Sequence, residues 1–224
     1  MKSLILSLLI LLMPVISSAG DNERTSVKLK SSELYSSINL AQIGLTQDVF
    51  DKALIGWTKL KSKLSNDSII SIADYSQSSN NKRLYVLDLK NKKLLYNAYI
   101  AHGKNTGEEF AKNFSNEPSS LMSSMGFYIT SDVIVSPKHG MALLINGVEK
   151  GFNDNAQKRE IIIHAADYVS EDFFKKHGRL GRSFGCPALP VELNKPIIET
   201  IKSGSCLFIY YPSEDYNRKS SLLN

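Results

Sequence analysis

The sequence has few of the residues that build metal centres or disulfide frameworks. Its 224 residues include only two cysteines and four histidines. Neither a His-Glu-x-x-His nor a Cys-x-x-Cys motif is present, so the short spacings that present paired ligands to zinc are missing. These absences argue against a metal site. They leave two interpretations of the cysteines, a disulfide between them or two thiols with separate roles.

The chain also lacks a concentrated positive charge. The 27 lysine and arginine residues exceed the 22 aspartate and glutamate residues and give a formal net charge of +5, but the lysines are dispersed and form no basic block interleaved with aromatic residues. This pattern gives little support to nucleic-acid binding. A mild positive excess suits an anionic partner such as the cell wall or a membrane surface, and surface solubility explains it equally well.

Only one long apolar run is present, and it lies near the start of the sequence. It covers residues 4–16, follows Met1-Lys2 and precedes Ser17-Ser18-Ala19. A charged start, an apolar stretch and small residues are typical of a secretory signal peptide, here 1–19. The run is shorter than the roughly 20 residues of a spanning helix. We therefore expect an exported protein, periplasmic or otherwise associated with the cell wall, without a transmembrane segment after cleavage.

The remaining chain is about the size of one domain with an extension. Residues 20–44 are rich in serine and charge and predict a flexible leader, and 213–224 predict a polar, frayed tail. Between them, 45–212 would form the domain, opening with a helix at about 46–64 that Thr46 could cap.

Short apolar segments follow that helix and predict strands, with short helices near 170–176 and 191–202. The predicted strands are 69–73, 84–89, 94–101, 126–130, 141–145, 161–164 and 206–211. Together they indicate an α+β fold, β-rich, with a mostly antiparallel sheet or sandwich and a few short helices.

Chemistry is suggested by Cys186, which lies between a glycine and a proline, and by His164, which ends a buried strand. Gly185 removes bulk before the sulfur, and Pro187 favours extended backbone, so the thiol could be exposed on a sharp turn. A nearby imidazole could take the thiol proton and create a nucleophile.

Such a base needs an acceptor for its second ring N–H, for which Asp167 and a backbone carbonyl near Ala165 are the candidates. The N–H groups of the turn from Phe184 to Cys186 could stabilise an oxyanion, and Arg182 could hold a substrate carboxylate. The simpler alternatives assign Arg182 to an exposed charge, His139 to a turn and His177 to a helix C-terminal cap. Cys206 lies in an apolar segment and predicts a buried thiol.

Several separated motifs, in order, resemble the murein L,D-transpeptidase catalytic domain family, a branch of the YkuD-like enzymes. The resemblance covers about residues 45–212. The matching motifs are 82–89, 101–107, 114–116, 123–126, 162–168, 181–190 and 210–212.

The resemblance implies the β-rich fold of that family, no cofactor, Cys186 as nucleophile and His164 as base. Ser183 and Gly185 match the Ser-x-Gly-Cys signature, and Arg182 matches the arginine before it. His102 and Ser124 match strand-end motifs that line the cleft. The wider YkuD-like superfamily commonly has histidine at the position of Phe184 and a polar residue at that of Ala188, and the departures of this chain from that pattern fit the branch.

The implied substrate is a peptidoglycan stem peptide. Cys186 would attack the carbonyl of an L-centre, release the terminal D-amino acid and pass the acyl group to an amine, giving a 3-3 crosslink. With water as acceptor the site would be an L,D-carboxypeptidase. A cysteine endopeptidase of wall peptides, and a non-catalytic wall-binding module with Cys186 bonded to Cys206, are the remaining alternatives.

Overall fold

The computed structural model describes residues 31–224. The predicted signal peptide and residues 20–30 of the predicted leader lie outside the described residues. Within 31–224, no helix is both long and apolar enough to cross a membrane.

Eight strands form a single mixed sheet in the order β3-β2-β1-β8-β4-β5-β6-β7. All neighbouring pairs are antiparallel except β1–β8 and β6–β7, which are parallel. The strands are β1 Ile69–Asp74, β2 Leu84–Asp88, β3 Lys93–Ala98, β4 Gly126–Ser136, β5 Gly140–Gly147, β6 Ile162–Ala165, β7 Ala188–Leu189 and β8 Cys206–Tyr210. The predicted α+β fold with a mostly antiparallel sheet is confirmed.

The described residues contain five α-helices: α1 at 31–37, α2 Gln47–Leu60, α3 Glu171–His177, α4 Val191–Ile201 and α5 Glu214–Lys219. The predicted helix at 46–64 corresponds to α2 and a following 3-10 turn, Lys61–Lys63. The side chain of Thr46 caps α2 by accepting the N–H of Val49 at 3.4 Å.

The two faces of the sheet carry separate apolar cores. Helix α2 packs Phe50 and Ala53 with Phe208 of β8 on one face. On the other face, α4 packs Ile197 and Ile198 with strand residues that include Ile163 of β6. Burial on both sides explains why the central strands are nearly continuous in apolar residues, and it fixes β6, the strand of His164, against α4.

The predicted leader differs from the structure in the part that the structure describes. Residues 31–37 are helical, a 3-10 turn follows at Leu40–Ile43, and Leu40 is 0% exposed in the α2 core. The flexible-leader prediction is therefore wrong for 31–44. Five apolar side chains anchor this polar segment: Leu34, Tyr35, Ile38, Leu40 and Ile43.

The predicted frayed tail is also wrong. Ser213 accepts the N–H of Tyr216 and begins α5, and the ring of Tyr216 is 0% exposed. The Tyr216 hydroxyl donates to Glu149 at 2.7 Å, and the Ser220 hydroxyl donates to the same carboxylate. A buried carboxylate that needs hydrogen-bond donors therefore holds the C-terminal segment on the domain.

Candidate active site

Parallel pairing of β6 with β7 brings His164 next to the cysteine turn. His164 pairs with Ala188, and its backbone N–H donates to the carbonyl of Pro187 at 3.4 Å. Cys186 comes one residue before Pro187 and two before Ala188, so the turn that carries it lies beside the end of β6. The backbone segments of the two residues singled out in the sequence are thus neighbours.

His164 is buried, at 1% exposed, and one ring nitrogen has a fixed role. Its Nδ1 lies 2.8 Å from the carbonyl oxygen of Ala165. A carbonyl can only accept, so the proton is on Nδ1 and Nε2 is left with a lone pair. The Ala165 carbonyl, rather than Asp167, is the orienting group, and His164 is in the tautomer of a proton acceptor.

The shifts of the two pKa values indicate that both groups are neutral at rest. Burial raises the pKa of the Cys186 thiol, while the N–H of Ile162 and the charge of Arg159 oppose that shift. Burial lowers the pKa of His164; its bond to Ala165 opposes this, and the charges of His139 and Lys138 lower the pKa further. Proton transfer from thiol to imidazole would therefore accompany attack on a substrate rather than precede it.

Ser183 holds the turn around the sulfur in shape. Its hydroxyl donates to the carbonyl of Cys186 at 2.6 Å and accepts the N–H of Gly185 at 3.0 Å. The thiol of Cys186 points to the carbonyl of Glu160, with 3.8 Å from Sγ to oxygen. Because the Gly185 N–H is used within the turn, Gly185 is not an oxyanion donor in this geometry, and the N–H groups of Phe184 and Cys186 are the remaining candidates.

Two glycines let a neighbouring loop approach the turn closely. Gly185 has φ of 128°, and a Cβ there would lie 2.8 Å from the carbonyl oxygen of Met122. A Cβ on Gly103 would lie 2.9 Å from the Cα of Gly185. Ser123 links them, accepting the N–H of Gly103 at 3.0 Å and donating to the carbonyl of Gly185 at 3.2 Å. Neither position can carry a side chain without displacing this contact.

The two cysteines are both free and lie at different depths. Cys186 is half-buried on its turn, whereas Cys206 is 0% exposed in the central strand β8. The alternative disulfide is therefore absent from the structure, and the two thiols have separate environments. Among the residues that the structure describes, no three His, Cys, Asp or Glu side chains form a cluster suited to a metal ion.

A family model described as the L,D-transpeptidase catalytic domain matches residues 41–210. The chain belongs to this family. The expected resemblance is therefore confirmed, and the sheet described above is the L,D-transpeptidase catalytic fold of this chain.

Solved structures give a broader comparison. An L,D-transpeptidase from Mycobacterium smegmatis is 10% identical with a TM-score of 0.39, over 64% of this chain and 59% of that one. An L,D-transpeptidase from Stackebrandtia nassauensis is 12% identical with a TM-score of 0.39, over 74% and 68%. The helical cell shape determining protein Pgp2 (K307A mutant) from Campylobacter jejuni is 16% identical with a TM-score of 0.43, over 73% and 55%. The chain thus spans about three fifths of the Mycobacterium smegmatis structure. No curated protein matches.

In this L,D-transpeptidase domain, Arg182 is engaged within the protein. Its Nη1 donates to Glu108 at 2.7 Å and to the carbonyls of Lys104 and Gly107 at 3.0 and 3.1 Å. Arg179 binds the same carboxylate at 2.8 Å. In the structure Arg182 holds the 104–108 loop, so its carboxylate-binding role would require displacing Glu108.

His102 and Ser124 are buried, at 1% and 2% exposed, and neither side chain presents a free group to the cleft. Arg83 donates to Nδ1 of His102 at 2.8 Å, so His102 carries its proton on Nε2, 3.3 Å from the carbonyl of Gly107. Burial and the Arg83 charge lower the pKa of His102 to about 3. The His102 backbone carbonyl accepts the N–H of Ser183 at 3.1 Å, so the backbone of His102 stabilises the turn that carries Cys186.

Ser124 acts through a residue that the sequence interpretation missed. Its hydroxyl donates to the carbonyl of Ser115 at 2.8 Å and accepts from Nη1 of Arg159. Arg159 also donates to Ser120 at 3.1 Å and to the carbonyl of Met122 at 2.6 Å. This guanidinium organises the loop that contacts Gly185. A single arginine in a polar segment gave no local signal of that role.

The tip of the β4–β5 hairpin reaches the same site. The ring of His139 stacks on His164, with 3.8 Å between centroids and 25° between planes. Nζ of Lys138 lies 5.1 Å from the centroid of the Phe184 ring, which is 62% exposed beside Cys186. The turn assignment of His139 was correct, but its contact with the predicted base was missed, since the hairpin and β6 meet only in the folded sheet.

Proposed function

We propose that this protein is an exported, cysteine-dependent L,D-transpeptidase that acts on peptidoglycan stem peptides. The observation that carries the proposal is the pairing of His164 with Ala188, two residues after Cys186, together with the bond from Nδ1 of His164 to Ala165 that leaves Nε2 as an acceptor. Export rests on the signal-peptide pattern, and the substrate class rests on the family.

The first half-reaction forms a thioester. His164 Nε2 takes the proton of the Cys186 thiol as sulfur attacks the carbonyl carbon of an L-centre that precedes a terminal D-residue. The carbonyl oxygen becomes an oxyanion, for which the N–H of Cys186 or Phe184 is the nearest donor in the turn. When the intermediate collapses, the imidazolium returns its proton to the leaving nitrogen, and a D-amino acid departs.

The second half-reaction consumes the thioester. An amine from a neighbouring stem peptide attacks the thioester carbonyl while His164 accepts its proton, and the Cys186 thiol is regenerated. The product is a 3-3 crosslink between two stem peptides. If water attacks instead, the products are a shortened stem and a free thiol, which is the carboxypeptidase outcome.

The test is incubation of the mature protein with purified muropeptides, followed by mass analysis. We expect 3-3 dimers or stems shortened by one D-residue, and no product with Cys186→Ala. Cys206→Ala is the matched control, because this thiol is buried in β8, away from the turn, and its loss should leave the products unchanged.

The alternatives give different products. Cleavage at an internal bond would make the protein an endopeptidase. Absence of any product from the wild type, or unchanged product from Cys186→Ala, would contradict the proposal and favour a wall-binding role. A thiol titration of the native protein should find one reactive thiol, with the second accessible only after unfolding.

A further inference from the structure

A transpeptidase that releases a terminal D-amino acid must distinguish a chain end from an internal bond. The chain end carries a carboxylate one residue beyond the attacked carbonyl. An enzyme can recognise that negative charge through a cationic side chain near the nucleophile. Three cationic residues lie around the Cys186 turn: Arg182, Arg159 and Lys138.

Two of these cations already have partners. Arg182 forms an ion pair with Glu108 at 2.7 Å, and its side chain is only 16% exposed. Arg159 directs both terminal nitrogens to serine hydroxyls and backbone carbonyls of the 115–124 loop, and its Nε is buried. A carboxylate could reach either guanidinium only by breaking contacts that hold the site together.

Lys138 differs in position and in availability. It lies at the tip of the β4–β5 hairpin, is exposed, and has no ion pair among the residues that the structure describes. Its ammonium lies over the ring of Phe184, the residue two before Cys186. Its neighbour His139 stacks on His164. The hairpin tip therefore lies beside both the proposed nucleophile and the proposed base, and the ammonium group of Lys138 faces the Cys186 turn.

The electrostatic influence of Lys138 fits this position. Burial raises the pKa of Cys186 and the charge of Lys138 opposes that shift, whereas burial lowers the pKa of His164 and the same charge lowers it further, so the ammonium acts on both groups. The exposed Phe184 ring holds the ammonium by a cation–π contact, which leaves its N–H donors able to bind an anion. An arrangement of this kind suits a carboxylate that enters from solvent.

We propose that Lys138 binds the terminal carboxylate of the acyl-donor stem peptide and makes the site select chain ends. The inference rests on the proposed function for its substrate class. Selection of the acyl donor is thus assigned to the hairpin tip. Arg182 does not serve this role, because its charge is neutralised by Glu108.

The experiment uses one stem peptide in two forms, with its terminal D-residue as the free acid or as the carboxamide. Affinity for each form is measured by calorimetry in the Cys186→Ala background, where no turnover occurs. Rates of release are measured with the active enzyme. Lys138→Gln is compared with Lys138→Arg, which keeps the charge. The matched control is Lys90→Gln, an exposed lysine in the β2–β3 hairpin turn, which is separated from β4 and β5 in the sheet by β1 and β8.

We expect the unsubstituted site and Lys90→Gln to prefer the acid to the amide by about fivefold, the scale of one exposed ion pair. Lys138→Gln should lose the preference by binding the acid more weakly, with the amide unaffected, and Lys138→Arg should retain it. Equal weakening of both forms, an unchanged preference in Lys138→Gln, or no preference at the outset would overturn the inference.

Failure of the proposed function gives a different result. A Lys138-dependent preference in binding, without Cys186-dependent product, would keep the carboxylate site and reject the transpeptidase. Product without any Lys138-dependent preference would keep the transpeptidase and reject the carboxylate site.

Discussion

The imidazole rings of His139 and His164 lie face to face, 3.8 Å apart at their centroids. One ring belongs to a hairpin tip and the other to the strand that carries the proposed base. The contact buries one face of His164 and sets a second titratable ring against it. The hairpin thus contributes to the burial of the proposed base, and the charges of His139 and Lys138 add to the lowering of its pKa that burial causes.

Substitution of His139 should therefore shift the pH dependence of the reaction. The pKa of His164 is lowered by burial and by the charges of His139 and Lys138, so the wild-type rate should fall on the acid side below the ordinary histidine value of about 6.5. His139→Ala exposes His164 and removes one charge, so the acid limb should move to higher pH. The measurement is kcat/KM against pH, with His177→Ala as control. An acid limb that does not move would show that the stack has no effect on the base.

Loss of the Ser183 hydroxyl should reduce activity more than stability. Ser183→Ala removes the bonds to the Cys186 carbonyl and the Gly185 N–H that shape the turn. We expect kcat/KM to fall about 10- to 100-fold, since misplacement by about 1 Å costs rate on this scale. The free energy of unfolding should fall by only about 1 kcal/mol. A steady-state assay and urea denaturation on the same preparation give the two values, and a wild-type rate would exclude this role.

His102 should make the protein sensitive to acid. Its pKa is about 3 in the fold and about 6.5 in the unfolded chain, so below pH 6.5 the unfolded state binds a proton that the folded state does not. Stability is therefore lost as pH falls, by about 3 kcal/mol at pH 4. His102→Asn can still accept from Arg83 but does not titrate, and its unfolding free energy should depend less steeply on pH between 7 and 4. Parallel slopes for the two proteins would contradict this account.

Tyr216→Phe should destabilise the whole domain. The change removes a donor to the buried Glu149 carboxylate, which also accepts from the backbone of Phe127 at 2.7 Å. We expect a loss of about 1–3 kcal/mol, the cost of leaving a buried group short of a partner. Tyr99→Phe is the control, because its hydroxyl reaches Glu171 at the surface. Similar denaturation midpoints for the two variants would mean that α5 is not anchored through Glu149.

Elements with a strong local pattern could be predicted from the sequence. The apolar spacing of α2 and the Thr46 cap sufficed for that helix, and most strands were found within a few residues of their bounds. Strand β7 was missed because two residues, Ala188–Leu189, show no periodicity. Strand β4 was predicted to end at Thr130, since a register shift between Thr130 and Val133 interrupts the alternation.

The site shows the same limit. Cys186 and His164 were found because a glycine, a proline and a buried strand mark them locally. The partners of the remaining site residues lie far away in sequence, as with Arg182 and Glu108 or Arg159 and Ser124. Nothing near Arg182 indicates that its charge is already paired. Such contacts depend on which loops the folded sheet brings together. Short-range sequence patterns do not indicate this.

The sheet order has a consequence for when the site can form. Strand β8 lies between β1 and β4 and joins β1–β3 to β4–β7, yet in sequence order it follows all the other strands of the described residues. The two halves gain a common sheet only after Cys206–Tyr210 have been synthesised. Pairing of strands so distant in sequence is slow, because a long loop must close first. The Cys186 turn would therefore gain its supporting contacts at the end of folding, and an incompletely synthesised chain would lack the geometry of the proposed site.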